Sequence, residues 1–287
     1  MRNLIIYEKP KLTHPRMVLG FSGWMDGGEV STGTVNYLID KLKASKFAEI
    51  DPEDFFLLNF PGSMEISSLF RPTTKIENGI LKDFQFPRNE FYYATESNLI
   101  FLVGKEPNFA WKKFSDCVFE ITEMLEVEKI FFVGSVAGLI PHTREPIIRA
   151  SVSKEHLKVN LEEYNIKFTE YEGPSSIITF LTKVAGEKEI EMTNLVAEIP
   201  VYVQGKNPKG IEAITKILVK LLNLDIDLME LHRMSTEFEE KLDKVVSSKP
   251  ALAEQIKNLE EIYDRELIKE MGDLEDWLKK QGIKLDE

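Results

Sequence analysis

The chain has 287 residues, 43% of them hydrophobic, and a formal net charge of −12 that comes from 36 Lys and Arg against 48 Asp and Glu. This apolar content excludes a disordered chain, and domains of about 100–200 residues leave room for one large domain with an appendage. The acidic balance argues against nucleic acid as a partner, because generic binding to the phosphate backbone requires clustered Lys and Arg.

Short β-branched and aromatic runs alternate with longer amphipathic stretches through the first 223 residues. The runs predict strands at Asn3–Glu8, Met17–Ser22, Phe55–Phe60, Leu99–Gly104, Ile130–Ser135 and Leu195–Val203. The amphipathic stretches predict helices at Gly28–Ala44, Asn108–Val127, Ser175–Ala185 and Pro208–Asn223. Strands that alternate with helices indicate βαβ units, so we expect an α/β fold with a mostly parallel sheet.

One segment departs from this alternation. Lys75–Phe86 carries Asn78-Gly79 between strand-like flanks, which is the strongest short-range signal for a β-hairpin. We therefore expect an antiparallel excursion from the sheet in this segment.

The acidity belongs chiefly to the end of the chain. From Asp225 onward there are 18 acidic and 10 basic residues, a net of −8 that leaves −4 for the first 224 residues. Two apolar stripes at helical spacing, separated by Ser247–Pro250, consist of Leu228, Leu231, Phe238, Leu242 and Val245, then Leu252, Ile256, Leu259, Tyr263, Leu267, Met271 and Leu274. We expect a core domain of residues 1–224 and an acidic helical hairpin of residues 225–287, which packs on its own core or on another subunit.

Cysteine content and apolar runs indicate the compartment. Cys117 has no second cysteine to pair with, which fits a reducing cytosol. The longest strongly apolar stretch, Ile130–Pro141, is well short of the ~18 residues that a spanning helix needs. We therefore expect a cytoplasmic protein that does not bind a membrane. Because no spacing typical of a metal or nucleotide site is present, we expect neither a metal nor a cofactor.

A glycine-rich turn joins the second predicted strand to the first predicted helix. It carries Ser22, Trp24, Asp26 and Glu29 among glycines that permit close backbone approach. The helix start that follows suits an anion. Two interpretations stay open: a ligand-binding loop, or an architectural turn in which Asp26 and Glu29 cap the helix.

A second candidate segment begins in the fifth predicted strand. It carries Gly134 and Ser135, then His142 and Arg144 at the expected carboxyl edge of the sheet, where open α/β sheets bind ligands. His142 would act as a general base, and Arg144 would clamp a carboxylate or phosphate. Alternatively, Arg144 pairs with a nearby acid and orders a loop.

Two further positions complete the candidate pocket. Glu172 directly precedes the turn predicted at Gly173-Pro174 and is, with Glu145, a candidate partner of Arg144. Asn207 precedes the last helix of the core. The whole set, in which no residue is assigned a catalytic role, is Ser22, Trp24, Asp26, Glu29, Gly134, Ser135, His142, Arg144, Glu172 and Asn207.

Four ordered blocks resemble one known family. GFSGWMDGGE at 20–29, GLIPHTRE at 138–145, EGPSSI at 172–177 and AEIPVYVQGKNPKG at 197–210 are followed by an acidic helical tail. They are similar to the proteasome assembly chaperone 2 family, in particular to archaeal and bacterial relatives of the second subunit of the eukaryotic chaperone heterodimer, over about Leu4 to Leu222. The resemblance implies a three-layer α/β/α core like that of purine nucleoside phosphorylases, homo-oligomers, and a non-enzymatic role in assisting or capping proteasome-type assemblies.

The end of the chain differs from that of some relatives. Some archaeal members end in a hydrophobic–tyrosine–any tail that docks in the proteasome α-ring. Here the last residues are Leu285-Asp286-Glu287, with Asp in place of the tyrosine, so we do not expect the tail to dock in this way.

Two functions stay open on the sequence. The first is an oligomeric chaperone or scaffold whose partners are itself and proteasome subunits or another assembly partner. The second is a phosphorylase-like or nucleosidase-like enzyme that binds a small anionic or nucleoside-like ligand at the carboxyl edge of the sheet. It requires Ser22, Glu29, His142, Arg144 and Glu172 to converge on one pocket. We favour the first, because an enzyme site calls for a denser set of polar groups than the sequence offers.

Overall fold

A computed structural model describes residues 3–164 and 166–280, and it describes side chains as far as Arg265. The strands of this part of the chain are β1 (Leu4–Ile6), β2 (Arg16–Ser22), β3 (Ser45–Ile50), β4 (Thr73–Glu77), β5 (Ile80–Gln85), β6 (Asn89–Ala94), β7 (Leu99–Lys105), β8 (Lys129–Gly138), β9 (Ile148–Val152), β10 (Lys167–Phe168) and β11 (Glu191–Pro200). The α-helices are α1 (Val30–Lys41), α2 (Met64–Ser68), α3 (Trp111–Met124), α4 (Ile177–Glu187), α5 (Pro208–Leu221), α6 (Met229–Ser247) and α7 (Pro250–Lys280). Two 3-10 helices lie at Gly27–Glu29 and Glu155–Tyr164.

A single large sheet organises the core. Its strand order is β1-β3-β6-β7-β2-β8-β11-β9-β10. The four central strands β7, β2, β8 and β11 run parallel to one another, whereas β6 and β9 flank them antiparallel. Helices α3 and α4 cover one face, and α1 and α5 cover the other. The expected three-layer α/β/α fold with a parallel centre is therefore confirmed.

Strand β2 shows how the two cores are filled. Met17 and Leu19 face the layer of α3, where they join Phe114, while Val18 between them faces the layer of α5 with Ile214. All five side chains are fully buried. Because successive strand residues point to opposite faces, a strand between two helical layers must be apolar at every position.

One strand prediction is wrong, and another has different bounds in the structure. The run Phe55–Phe60 is not a strand: Phe55 and Phe56 are buried in an irregular segment, and the Phe55 carbonyl accepts hydrogen bonds from the Asn108 and Phe109 N–H groups. The strand predicted at Leu195–Val203 starts at Glu191 and ends at Pro200. Strands β3, β6 and β9, which mix polar and apolar residues, were not predicted.

The predicted hairpin is confirmed. Strands β4 and β5 form a separate two-stranded antiparallel sheet. The turn between them places Asn78 at φ 51° and Gly79 at φ 75°. Left-handed backbone at both central residues is what an Asn-Gly turn supplies.

The expected helical pair at the end of the chain is also present. Helix α6 packs on α5 and buries Leu231, and α7 buries Ile256. The division into residues 1–224 and 225–287 stays a prediction. The stripe positions Leu267, Met271 and Leu274 and the terminal Leu285-Asp286-Glu287 lie outside the residues whose side chains are described. Within the described ranges, no helix has the length and apolarity that a bilayer crossing requires.

Candidate functional site

The glycine-rich turn after β2 packs against β8 and the start of α5. Asp26 forms an isolated parallel bridge with Ser135, and the Ser135 N–H donates to the Met25 carbonyl at 2.9 Å. On the other side of the turn, the Asn207 N–H donates to the Gly28 carbonyl at 2.7 Å. The structure therefore brings together three of the predicted pocket residues, Asp26, Ser135 and Asn207.

Glycine is required in this turn by close contacts. Gly28 has φ 61°, and a Cβ atom there would lie 2.6 Å from the Cβ of Asn207. A Cβ at Gly134 would lie 2.9 Å from the Met25 carbonyl oxygen. These separations are shorter than van der Waals contact, so the turn is filled by the protein itself, as the architectural interpretation requires.

Asp26 caps the first helix. Its carboxylate accepts hydrogen bonds from the Thr32 N–H at 3.1 Å and the Thr32 hydroxyl at 2.8 Å. Burial raises the pKa of the Asp26 carboxyl to about 6, although the bonds from Thr32 oppose this shift. The expectation that Glu29 also caps the helix is wrong: Glu29 occupies the N-cap position with φ 54° and makes no side-chain capping hydrogen bond.

Glu106, which the sequence analysis missed, ties the turn to α4. One of its carboxylate oxygens accepts a hydrogen bond from the Trp24 N–H at 2.9 Å, and the other accepts one from the Ile177 N–H at 3.3 Å. The Trp24 side chain itself is exposed, and the Ser22 carbonyl accepts from the Glu106 N–H. Glu106 directly follows β7, so the rule that drew attention to the carboxyl edge of the sheet also applies to it.

His142 is buried, with 2% of its surface exposed. Its Nδ1 lies 2.8 Å from the Tyr202 hydroxyl, and its Nε2 lies 3.1 Å from Asp243 Oδ1 on α6. A ring proton on Nε2 satisfies both contacts, because Nε2–H then donates to Asp243 and Nδ1 accepts from Tyr202. Both ring nitrogens are thus engaged within the chain.

Arg144 forms a bidentate ion pair with the C-terminal hairpin. Its Nε and Nη2 atoms each lie 2.8 Å from a carboxylate oxygen of Asp264 on α7, and Nη1 lies 3.7 Å from Glu260. This corrects the expected partners, Glu145 and Glu172. The hydrogen bonds with Asp264 raise the pKa of Arg144 and lower the pKa of Asp264.

Lys209, also missed by the sequence analysis, is a buried cation beside His142. Its Nζ donates to the His142 carbonyl at 2.7 Å and forms a short ion pair with Glu239 on α6. Nothing in the local sequence marks this lysine, because it lies in the first turn of an amphipathic helix whose other buried residues are mostly apolar.

Together these contacts close the carboxyl edge with the acidic hairpin. The hairpin contributes the carboxylates of Glu239, Asp243, Glu260 and Asp264, and Glu260 also accepts a hydrogen bond from the Thr143 hydroxyl. The Tyr263 hydroxyl donates to the Glu145 carbonyl at 3.0 Å. Of the two interpretations of Arg144, the structure therefore supports the one in which it pairs with a carboxylate of the chain itself.

The five residues required by the enzyme hypothesis lie in three different surroundings. Ser22 and Glu29 lie at the glycine-rich turn, His142 and Arg144 lie under the hairpin, and Glu172 is exposed. In the described chain, no hydrogen bond or ion pair joins any two of them. Nor do the described residues place three His, Cys, Asp or Glu side chains where they could hold a metal ion. That the ten predicted residues bind a ligand stays a prediction.

A different surface exposes many large apolar side chains. We define the arm as residues 57–86, which include α2, β4 and β5. Among the described residues, ten of the 22 exposed large apolar side chains belong to it. They are Leu58, Phe60, Met64, Ile66, Leu69, Ile76, Ile80, Leu81, Phe84 and Phe86, with between 37% and 81% of their surface exposed.

Comparison with known proteins places the chain among related structures. The PAC2 family model matches residues 20–246. Similar solved structures include a proteasome-assembly chaperone homologue from Mycobacterium tuberculosis (22% identity, 84% of this chain and 99% of that chain covered, TM-score 0.74). A PAC2 family protein from Streptomyces avermitilis (27%, 84% and 99%, TM-score 0.70) and an archaeal proteasome activator from Pyrococcus furiosus (22%, 85% and 99%, TM-score 0.64) are also similar. No curated protein matches the sequence.

Proposed function

The chain belongs to the PAC2 family, and on that premise we propose that it is an oligomeric, non-enzymatic chaperone or scaffold of the cytoplasm. In this proposal it assists the assembly of proteasome-type complexes or binds to them. Two similar structures are a proteasome-assembly chaperone homologue and an archaeal proteasome activator. These names apply to those proteins, and they are the reason that the proposal concerns proteasome-type complexes.

The observation that carries the proposal is the apolar arm. The largest exposed apolar patch of a soluble monomer is usually about 300–600 Å², and larger patches are typical of surfaces that bind another protein. Ten of the 22 exposed large apolar side chains among the described residues lie in this one segment of 30 residues. A chain that concentrates its exposed apolar side chains in one segment is suited to hold other protein chains.

The state of the carboxyl edge supports the same function over the enzymatic alternative. An anionic substrate would need Arg144 or Lys209, and both are engaged with carboxylates of the hairpin. His142 is buried, and its two ring nitrogens contact Tyr202 and Asp243 of the chain itself. The groups that would perform phosphorylase-like chemistry are thus used to hold the chain's own appendage.

The proposal is tested with proteasome-type α-subunits from the same source. Purified chain is mixed with unassembled α-subunits, and the formation of α-rings is followed over time by native gel electrophoresis. We expect the chain to co-migrate with α-subunits and to increase the yield or rate of ring formation. Unchanged ring formation together with an absence of co-migration at every ratio would contradict the proposal.

A further inference from the structure

We propose that the carboxyl edge of the sheet is a binding surface for an acidic helix of another protein, and that the chain's own C-terminal hairpin, α6 and α7, occupies this surface until such a partner displaces it. The groups that receive carboxylates at this edge are His142, Thr143, Arg144 and Lys209, which we call the edge cluster. The inference goes beyond the proposed function, because it concerns a surface other than the arm and does not depend on which complex the partner belongs to.

Helix α6 presents two carboxylates that are four residues apart in the chain. Glu239 forms an ion pair with Lys209, and Asp243 Oδ1 lies 3.1 Å from His142 Nε2. Residues at positions i and i+4 of a helix lie on the same side, about 5–6 Å apart between their Cβ atoms. One side of α6 therefore delivers both carboxylates to the edge cluster.

Helix α7 repeats this spacing with a different sequence. Glu260 accepts a hydrogen bond from the Thr143 hydroxyl, and each carboxylate oxygen of Asp264 accepts one from the Arg144 guanidinium at 2.8 Å. Each half of the edge cluster is thus matched by two carboxylates that are one turn apart on one helix. The feature that the edge cluster binds is therefore an acidic pair at i and i+4, which a helix of another protein can also supply.

The carboxylates of the hairpin are the outer members of these contacts. The side chains of Asp243 and Asp264 are 54% and 45% exposed, whereas those of His142 and Lys209 are 1% and 10% exposed. Ion pairs that water reaches are screened by salt and contribute little net stability. The receiving groups are therefore held by the core, while the carboxylates that bind them are open to competition.

Little apolar surface fixes the hairpin to the core. Among the residues whose side chains are described, the hairpin buries two large apolar side chains, Leu231 near the start of α6 and Ile256 on α7. Leu231 packs in the core layer of α5, whereas Ile256 lies in neither core layer. A segment with few buried apolar contacts opens locally at a lower free energy than the core. The later part of α6 and the described part of α7 can therefore leave the edge while the sheet stays folded.

Release of the hairpin is coupled to the arrival of other carboxylates. When the hairpin leaves, Lys209 keeps the His142 carbonyl as a neutral partner, and Arg144 loses its carboxylate partners. Charge-assisted hydrogen bonds are stronger than neutral ones, so their loss opposes release. A helix that carries the same acidic pair restores these bonds and competes with the hairpin, whereas a neutral or basic helix does not.

The test uses two synthetic peptides with the sequence of residues 250–265, which stand in for a partner helix. One peptide carries Asp264→Asn and the other Glu261→Gln. They have the same net charge, but only the second keeps the acidic pair of Glu260 and Asp264; Glu261 itself is exposed. Both peptides bear the same cost of folding into a helix, so the comparison isolates the acidic pair.

Fluorescence anisotropy measures the binding of each labelled peptide to full-length chains. The chain with Asp264→Asn has a weakened hairpin contact, and the chain with Glu261→Gln is its matched control. The Asp264→Asn chain should bind the Glu261→Gln peptide at least about tenfold more tightly than it binds the Asp264→Asn peptide, as loss of a charged hydrogen-bonded contact implies. It should also bind the Glu261→Gln peptide at least about tenfold more tightly than the control chain does.

A second measurement uses the natural chain, in which the hairpin is intact. Hydrogen exchange with mass spectrometry is recorded with and without a large excess of each peptide, and a heavy-isotope label separates peptide fragments from those of α7. The Glu261→Gln peptide should make exchange in residues 250–265 of the chain at least about threefold faster, because the displaced helix loses its contacts. Strand β8 should keep its protection, and the Asp264→Asn peptide should have no effect.

Two results would overturn the inference. One is equal binding of the two peptides to the Asp264→Asn chain, or binding of neither. The other is unchanged exchange in α7 at the highest concentration of the Glu261→Gln peptide. The proposed function fails separately: a chain that promotes the assembly of α-subunits without any exchange of its hairpin contradicts this inference alone. A chain that exchanges its hairpin for the peptide but leaves α-subunits untouched contradicts the role in proteasome assembly alone.

Discussion

Arg144, on the segment after β8, and Asp264, on α7, are 120 residues apart in the chain and form a bidentate ion pair with two contacts of 2.8 Å. This pair joins the C-terminal hairpin to the carboxyl edge of the sheet, the place where an α/β fold would ordinarily receive a ligand. The hairpin is therefore part of the folded body at this edge, and its carboxylates neutralise the cations beneath it.

Breaking this ion pair should loosen α7 without unfolding the core. For Arg144→Gln, we expect hydrogen exchange in α7 to become roughly threefold faster, the size typical of a partly exposed ion pair, while β8 and β11 keep their protection. Hydrogen exchange with mass spectrometry measures both regions. Arg265→Gln is the matched control, because the hydrogen bond of Arg265 among the described residues is to the Glu261 carbonyl of the same helix. Equal effects of the two variants would contradict the role of the Arg144–Asp264 ion pair in holding α7 at the sheet.

Lys209 should contribute more to stability than a surface lysine. Lys209→Met leaves Glu239 and the His142 carbonyl without their cation, so we expect a loss of about 2 kcal/mol in the free energy of unfolding. Urea unfolding measures it. Lys220→Met, an exposed lysine in the last turn of the same helix, should change stability little. If Lys209→Met were as stable as Lys220→Met, the buried ion pair of Lys209 and Glu239 would make no net contribution to stability.

Asp26 should make stability depend on pH. Its folded pKa of about 6 lies above the ordinary value of 3.8 because burial disfavours the charged form. A raised folded pKa means that its contribution is fully present below about pH 4 and is lost as the pH rises through about 6. The stability of Asp26→Asn minus that of the natural chain should therefore increase by about 2 kcal/mol between these pH values. A difference that is flat or falls with pH would contradict the assignment.

The close packing of the glycine-rich turn is tested at Gly28. An alanine at this position would have left-handed backbone angles, and its Cβ would lie 2.6 Å from the Cβ of Asn207. Gly28→Ala should therefore lower the free energy of unfolding by at least about 2 kcal/mol. Gly205→Ala is the control, since Gly205 also has positive φ but has open space around its Cβ position. Its cost should be about 1 kcal/mol, from backbone strain alone. Thermal unfolding of both variants at one pH measures the two costs. Equal losses of stability would contradict a contribution from close packing at Gly28.

The central strands and main helices could be predicted because their patterns are local. β8 is apolar over most of its length, and α5 shows a clear helical stripe after its Asn207-Pro208 start, so burial and capping alone indicate them. Strands β3 and β9 are different. Their residues mix polar and apolar types, and they form because strands distant in the chain pair with them, which no local pattern reveals.

The candidate site could be predicted only in part, for the same reason. Arg144 and His142 follow a recognisable strand and attract attention by residue type, but their partners Asp264 and Asp243 depend on how the C-terminal hairpin returns to the sheet. Three pocket residues, Asp26, Ser135 and Asn207, do lie together, because the glycine-rich turn that carries Asp26 packs against Ser135 in β8 and against Asn207 at the start of α5. Lys209 could be identified only from the fold, whereas the position of Glu106 directly after β7 is a signal that the sequence does contain.

The most direct test of the central claim is size-exclusion chromatography with light scattering of the full chain mixed with proteasome-type α-subunits from the same source. The proposed scaffold role predicts a co-eluting species whose mass exceeds that of either component and equals a whole-number combination of the two. If the two proteins elute separately with unchanged masses at every mixing ratio, a role in proteasome assembly is contradicted.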